Sequence, residues 1–218
     1  MSAMTQAEFV VRNEGGVQLS TLAWRFDESV CCVSTAAIGG GLTEPSWVIN
    51  AQVPHGYERI DLDDHANEIA STLGVAGQGV LMLTAVDVKR RETSTIDGVV
   101  VTATVGVSDP VWAADNDAVV EAAPMVGTVN VVLQLPVPHT AAAMVNLVAT
   151  VTEAKCQAFA AWPVPGTGTP SDAVTVICPV EGRAEPFGGP RSRWGQPAAR
   201  AAYDAITAGL RSGYVPPC

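Results

Sequence analysis

Positive charge is scarce in this chain: 12 lysines and arginines stand against 22 aspartates and glutamates over 218 residues, for a net charge of −10. Such a bias repels nucleic-acid phosphates and anionic lipid headgroups through the same Coulomb term, so no nucleic acid is expected as a partner. Histidine is scarcer still, at three residues, His55, His65 and His139. The five cysteines, Cys31, Cys32, Cys156, Cys178 and Cys218, are odd in number and show neither C-x-x-C nor C-x-x-H spacing. They read as buried free thiols and give no support to a zinc site. The opening stretch MSAMTQAEFVVRNEGG lacks the basic start and apolar core of a secretory signal. No uncharged apolar run reaches the roughly 18 residues of a membrane span. The longest candidate, AAAMVNLVATVT, stops at Glu153. A cytoplasmic protein without a membrane span is the expectation.

Two catalytic signatures are also missing. No G-x-S-x-G occurs, so a nucleophile elbow has no support. The glycine-rich stretch GTGTPSDAVTVI, from Gly166 to Ile177, has no lysine after its glycines and runs into β-branched residues, which disfavours a phosphate-binding loop.

What is present is a globular composition, with 48% apolar and 16% charged residues. The length fits a single domain spanning 1–218. Short β-prone runs separated by polar turns fill the first third: EFVVR, VQLSTLAWRF, VCCVSTA and SWVINAQV. The stretch VSTAAIGGGLTEP, with three glycines in a row, reads as a flexible loop or a close backbone approach. DLDDHANEIASTLG has an acidic first turn, Ile69 and Leu73 four apart and a terminal Gly74, and predicts a short helix. GVLMLTAV and DGVVVTATVGV follow as strands, split by the charged connection DVKRRETSTI. SDPVWAADNDAVVEAAP reads as a loop, and GTVNVVLQLPVP as a strand ended by its prolines.

The clearest helix covers Thr140 to Trp162, with Thr140 placed to cap it. At about 100° per residue, Met144, Leu147, Val148, Val151, Ala154, Ala158, Phe159 and Trp162 share one face, and Asn146, Thr150, Glu153 and Gln157 another. Lys155 breaks the pattern. It falls inside the apolar face, where an unpaired ammonium is costly, so it must snorkel or meet a partner. AVTVIC is then a buried-type strand, and RWGQPAARAAYDAITAGLRSG a C-terminal helix. These elements predict an α/β or α+β fold, a mixed sheet layered with the long central helix and the C-terminal helix. His139, before the long helix, reads as a surface or capping residue.

Seven stretches occur in the order found in one family: VINAQVPHGY (48–57), GVLMLTAVDV (79–88), ATVGVSDPVWAAD (103–115), GTVNVVLQL (127–135), TEAKCQAF (152–159), GTGTPSDAVTV (166–176) and FGGPRSRWGQPAARAAYDAI (187–206). Together they resemble the adenosylcobinamide amidohydrolases. The resemblance implies hydrolysis of the amide joining aminopropanol to the propionate arm of the corrin ring. The product would be adenosylcobyric acid, returned to coenzyme B12 synthesis. It implies adenosylcobinamide or a related corrinoid as substrate and no cofactor, since the corrinoid carries its own cobalt. A homo-oligomer is compatible with it. In one departure, the loop STAAIGGG stands where the family has Asn-Gly-Gly. That loop motivates an alternative, a corrinoid-binding or carrier protein without catalysis.

The resemblance makes Thr167, Gly168, Thr169, Ser171 and Asp172 an active-site loop, with Thr169 as the attacking hydroxyl or the holder of a water. Lys155 and Asp172 then manage protons; Lys155 is favoured over Glu153, which lies on the opposite helix face. The same loop also reads as a glycine turn whose hydroxyls satisfy its own backbone. Asn50 and Asn130 punctuate β-rich runs, and Thr128 shares a strand face with Asn130. Together with Thr84 and Asp87 they are candidates to hold the amide, or else turn and strand-edge residues. Trp47, Trp112 and Trp194, in loop-like contexts, are candidates to stack on the ring or else to fill the core.

Overall fold

The structure is a computed structural model that describes residues 4–115 and 127–214. Residues 116–126, which include the second part of the predicted acidic loop (116–124), lie outside the described residues, as does Cys218.

The chain begins with a hairpin, β1 (Glu8–Glu14) and β2 (Val17–Arg25). Gly15 and Gly16 make its two-residue turn with φ of +59° and +83°, the left-handed pair that matches the twist of the flanking strands. Next come β3 (Val30–Ser34), β4 (Gly41–Thr43), β5 (Trp47–Gln52), α1 (Leu62–Thr72) and β6 (Gly79–Thr84). A 3-10 turn at Val88–Arg90 leads to β7 (Glu92–Ile96) and β8 (Val99–Gly106). The remainder is β9 (Thr128–Gln134), α2 (Ala141–Ala161), β10 (Ala173–Pro179) and α3 (Gly195–Gly213).

The strands form two mixed sheets, in the orders β1-β2-β5-β6 and β4-β3-β10-β9-β8-β7. Strand alternation decides the layering. Leu22, Trp24, Val48, Val80, Met82, Val132 and Ile177 point between the sheets and form one buried cluster. Their neighbours Ile49, Ala51 and Leu81 point the other way and pack against Ala66, Ile69 and Ala70 of α1. On the outer face of the six-stranded sheet, Val101, Val131, Leu133 and Val176 meet Met144, Leu147, Val151 and Phe159 of α2 and Ala198, Ala202 and Ile206 of α3. The order of layers is therefore α1, small sheet, large sheet, α2 with α3. This is a mixed α+β fold in which the long helix connects two neighbouring parallel strands, β9 and β10.

Helix α2 follows its sequence pattern closely. Thr140 Oγ1 accepts a hydrogen bond from the Ala143 amide at 3.2 Å and caps the helix. Thr150, assigned to the polar face, is instead buried because its hydroxyl donates to the Gly188 carbonyl at 3.0 Å. His139 is not a surface or capping residue. It is buried, its Nδ1 lies 2.9 Å from the Val137 carbonyl, and its ring stands edge-on to Trp194. Burial pulls its pKa below the ordinary imidazole value, outweighing the opposing pull of the Val137 carbonyl and Glu185.

Two connections are more ordered than their composition predicts. In DVKRRETSTI, residues Glu92–Ile96 form edge strand β7, turned into β8 by Asp97 and Gly98 at φ of +50° and +81°. In VSTAAIGGGLTEP, β4 adds to the sheet edge and Ile38 bridges to Leu81 of β6. Gly39 is required there. It has φ of +68°, and a Cβ would sit 2.0 Å from the Gly79 carbonyl oxygen.

Candidate active site

The two sheets part at one end and leave a cavity of about 560 Å³. It lies where β6 ends and where β9 and β10 begin. Its apolar wall comes from Ile38, Val53, Leu81, Met82 and Leu83; its neutral polar groups are Thr35, Thr84, Thr128, Asn130 and Ser171. Glu58 and Arg59 line it as well. Arg59 is clamped by Asp61 and Glu68, each at 2.6 Å, so its charge is compensated locally. Its hydrogen bond holds the Asp61 carboxyl down at about 2.

Behind the polar wall lies the group of residues that the resemblance places in an active-site loop. Lys155 of α2 reaches Asp172 in a mostly enclosed ion pair. Asp172 sits just before β10, and its carboxylate accepts three further hydrogen bonds. The Thr169 amide donates to Oδ2 at 3.1 Å; the Thr169 hydroxyl and the Val129 amide donate to Oδ1 at 2.5 and 2.8 Å. With four donors on two oxygens, its acceptor positions are filled. Gly168 makes room for the cluster, since a Cβ there would lie 2.6 Å from Asp172 Oδ2 and 2.7 Å from Lys155 Nζ. Lys155 therefore answers the misfit of its helical position by finding a partner. Glu153 is exposed, as its helix angle requires.

Loop 166–172 splits between two directions. Thr167 turns to the segment after β8: its amide donates to the Val111 carbonyl at 2.9 Å and its hydroxyl accepts from the Ala113 amide at 3.0 Å. Pro170, Ser171 and Asp172 form the cavity wall. Ser171 Oγ lies 2.8 Å from Thr128 Oγ1, which donates to the Gly127 carbonyl at 2.8 Å. Ser171 and Thr128 thus present a hydroxyl pair at the start of adjoining parallel strands. Thr84, at the end of β6, contributes a third hydroxyl to the wall.

Asn50 and Asn130 are interior strand residues rather than strand punctuation, and they link the two sheets. Asn130 Nδ2 donates to Asn50 Oδ1 at 2.9 Å and to the Leu83 carbonyl at 3.1 Å; Asn50 Nδ2 donates to Thr104 Oγ1 at 3.0 Å. A backbone carbonyl only accepts, so the contact with Leu83 fixes which side-chain atom of Asn130 is nitrogen. Its Oδ1 is then a buried acceptor without a partner, on a residue that lines the cavity. Asn50 stands behind it, outside the cavity wall. Asp87 is a local cap, accepting from the Lys89 amide and the Ser20 hydroxyl at 3.0 and 2.5 Å. Its burial is outweighed by these hydrogen bonds and the nearby cations, which lower its pKa.

Of the three tryptophans, Trp47 belongs to β5 and lies over Gly79, whose missing Cβ leaves space for the indole. Trp194 packs against the helix-side core, and Trp112 is exposed, beside the contacts of loop 166–168.

A model of the adenosylcobinamide amidohydrolase family matches residues 3–214. The chain belongs to that family. No curated protein matches it significantly. Among solved structures, the PH0078 protein from Pyrococcus horikoshii OT3 is similar at 12% identity, covering 96% of this chain and 84% of that one with a TM-score of 0.48. In this adenosylcobinamide amidohydrolase family member, Ile38 adds apolar surface to the cavity wall. Among the described residues, no helix is long and apolar enough to cross a membrane. Tyr57 and Arg59 also line the cavity and were not singled out from sequence. Tyr57 ends the family-like stretch VINAQVPHGY, the one sequence signal available for it.

Proposed function

We propose that this protein hydrolyses the amide between aminopropanol and the propionate arm of adenosylcobinamide, releasing adenosylcobyric acid. The observation that carries the reading is the cavity of this family member, in which a hydroxyl pair and a free amide acceptor adjoin an apolar wall. A flat macrocycle with amide arms needs apolar surface plus neutral hydrogen-bonding groups, and the lining has that character.

Both hydrogens of Asn130 Nδ2 are engaged, so Asn130 is not an oxyanion donor. Its free Oδ1 is matched to the N–H of the scissile amide. Thr128 donates its one hydrogen to the Gly127 carbonyl and so holds Ser171, whose hydroxyl turns from Thr128 to the carbonyl oxygen as that oxygen gains negative charge, with Thr84 beside it. Thr169 donates its hydroxyl to Asp172, and the cavity wall begins one residue later. In this reading water attacks, and Lys155, Asp172, Gly168 and Thr169 fix the loop that carries Ser171. Thr167 ties the same loop down from the other side, and Asn50 holds Asn130 in place.

The test is aminopropanol release, with the corrinoid product identified by mass spectrometry. Removing an oxyanion donor typically lowers kcat by roughly 10²–10³, so Ser171→Ala is expected to act mainly on kcat. Lys155→Met and Asp172→Asn are expected to lower both activity and stability. Tight corrinoid binding with no adenosylcobyric acid formed would instead make the protein a carrier.

A further inference from the structure

A second polar network meets the same cavity from the loop between β5 and α1. Tyr57 lines the cavity, and its hydroxyl lies 2.6 Å from His65 Nδ1. His65, in the first turn of α1, is completely buried. Its Nε2 lies 3.0 Å from Glu14 Oε1 as an ion-pair contact and makes no hydrogen bond. Glu14, the last residue of β1, is held by Arg12 at 3.1 Å. Arg12 is buried in turn and donates to Thr21 Oγ1 at 2.6 Å and to the Gln52 carbonyl. The chain thus brings a phenol, an imidazole and a carboxylate into line from three separate segments.

The protons in this line can be assigned from donor capacity. A carboxylate only accepts, so Nε2 carries the hydrogen toward Glu14, Nδ1 is an acceptor, and the Tyr57 O–H donates to it. Burial raises the Tyr57 pKa above the ordinary phenol value, so the hydroxyl keeps its proton at neutral pH. Glu14 is pushed up by burial, but its contacts with His65 and Arg12 outweigh that and leave it an ionised carboxylate. A hydroxyl backed by imidazole and carboxylate is the arrangement that lets a weak base take a proton while passing its own inward. Asp172 is less suited to that task, because all its acceptor positions are occupied.

We infer that Tyr57 is a catalytic residue, the base that receives a proton from the attacking water, and that His65 and Glu14 are the positioning residues that make it one. This rests on the amide-hydrolysis reading above. The water oxygen forms a bond to the carbonyl carbon while one of its protons passes to the Tyr57 oxygen. The phenol proton moves to His65 Nδ1, giving an imidazolium beside Glu14. When the carbon–nitrogen bond breaks, the proton returns through Tyr57 to the leaving amine nitrogen. Amide and water become acid and amine, and the relay ends as it began.

The test uses the full chain with adenosylcobinamide and compares Tyr57→Phe and Glu14→Gln with the native protein. Loss of a general base lowers the rate by roughly 10²–10⁴, so Tyr57→Phe is expected to lose at least about 100-fold in kcat, with KM and melting temperature nearly unchanged. Glu14→Gln is expected to lose about tenfold or more and to shift the acidic limb of the kcat–pH profile. The charged and titratable groups facing His65 are Tyr57, Glu14, Asp61 and Glu68, with Arg12 and Arg59 behind them. Tyr57→Phe with native kcat would overturn the inference while leaving the hydrolysis reading intact. So would a Tyr57→Phe protein that melts earlier and binds more weakly at unchanged kcat, since the network would then be structural. Absence of aminopropanol release by the native protein would remove the hydrolysis reading and this relay with it.

Discussion

Replacing the two members of the Lys155–Asp172 pair, singly and together, gives an asymmetric outcome that the structure dictates. The side chains are only 10% and 12% exposed, and Lys155 sits on the apolar face of α2. Asp172→Asn leaves the ammonium enclosed without a counter-charge, a change that typically costs about 3–5 kcal/mol. It also turns an acceptor into a donor facing the Val129 and Thr169 donors. Lys155→Met is milder. The carboxylate keeps three hydrogen bonds, and the thioether suits the surrounding apolar face, so the expected cost is about 1–2 kcal/mol. In the double variant neither charge remains buried, and its destabilisation should fall below the sum of the singles by about 2 kcal/mol or more. Urea unfolding at neutral pH measures all four corners of the cycle, and a common denaturant slope would show that the unfolded states are comparable. Additivity within about 0.5 kcal/mol would refute the reasoning, because it would mean the two groups do not interact.

Gly168→Ala places a methyl group 2.6 Å from Asp172 Oδ2 and must push the same pair apart. Overpacking of this kind costs about 1–3 kcal/mol, so a lower melting temperature and slower aminopropanol release are expected together. Asn130→Ala removes the donor to Asn50 and Leu83, leaving two carbonyl oxygens short of a partner. That costs about 1–3 kcal/mol, read by chemical unfolding. His139 is buried neutral with a lowered pKa, so the unfolded chain binds its proton more readily than the folded one. Its contribution is complete above the unfolded value of about 6.5 and is lost as pH falls toward the folded value. The native protein should therefore lose more stability than His139→Gln between about pH 7 and 5, by denaturant titration at each pH.

Local chemistry made much of the fold legible. β-branched runs gave the strand positions, the cap and apolar stripe of 140–162 gave α2, and the acidic start and Gly74 gave α1. The misfit of Lys155 on the α2 stripe was visible as a problem of buried charge, and the structure answers it with Asp172. Strand β7 was missed because its charged and hydroxyl residues are satisfied by an edge position beside β8, although Asp97-Gly98 is a hairpin signal. Asn50 and Asn130 look like strand punctuation along the chain, because polar side chains are costly in a core unless partnered. Their partners, Thr104 and Leu83 with each other, come from different strands of two sheets.

By itself, then, the sequence determined most of the elements, though not β4 and β7, together with the family and the glycine-rich turn into β10, since these depend on neighbours within a few residues or on an ordered set of motifs. The packing of the two sheets decided the rest. It turned Ser171 to the cavity and Thr169 to Asp172, left Asn130 with a free acceptor, and joined Glu14, His65 and Tyr57. Those outcomes hang on contacts between residues up to 80 positions apart. No local propensity encodes which of two hydroxyls in one loop faces water and which faces a carboxylate.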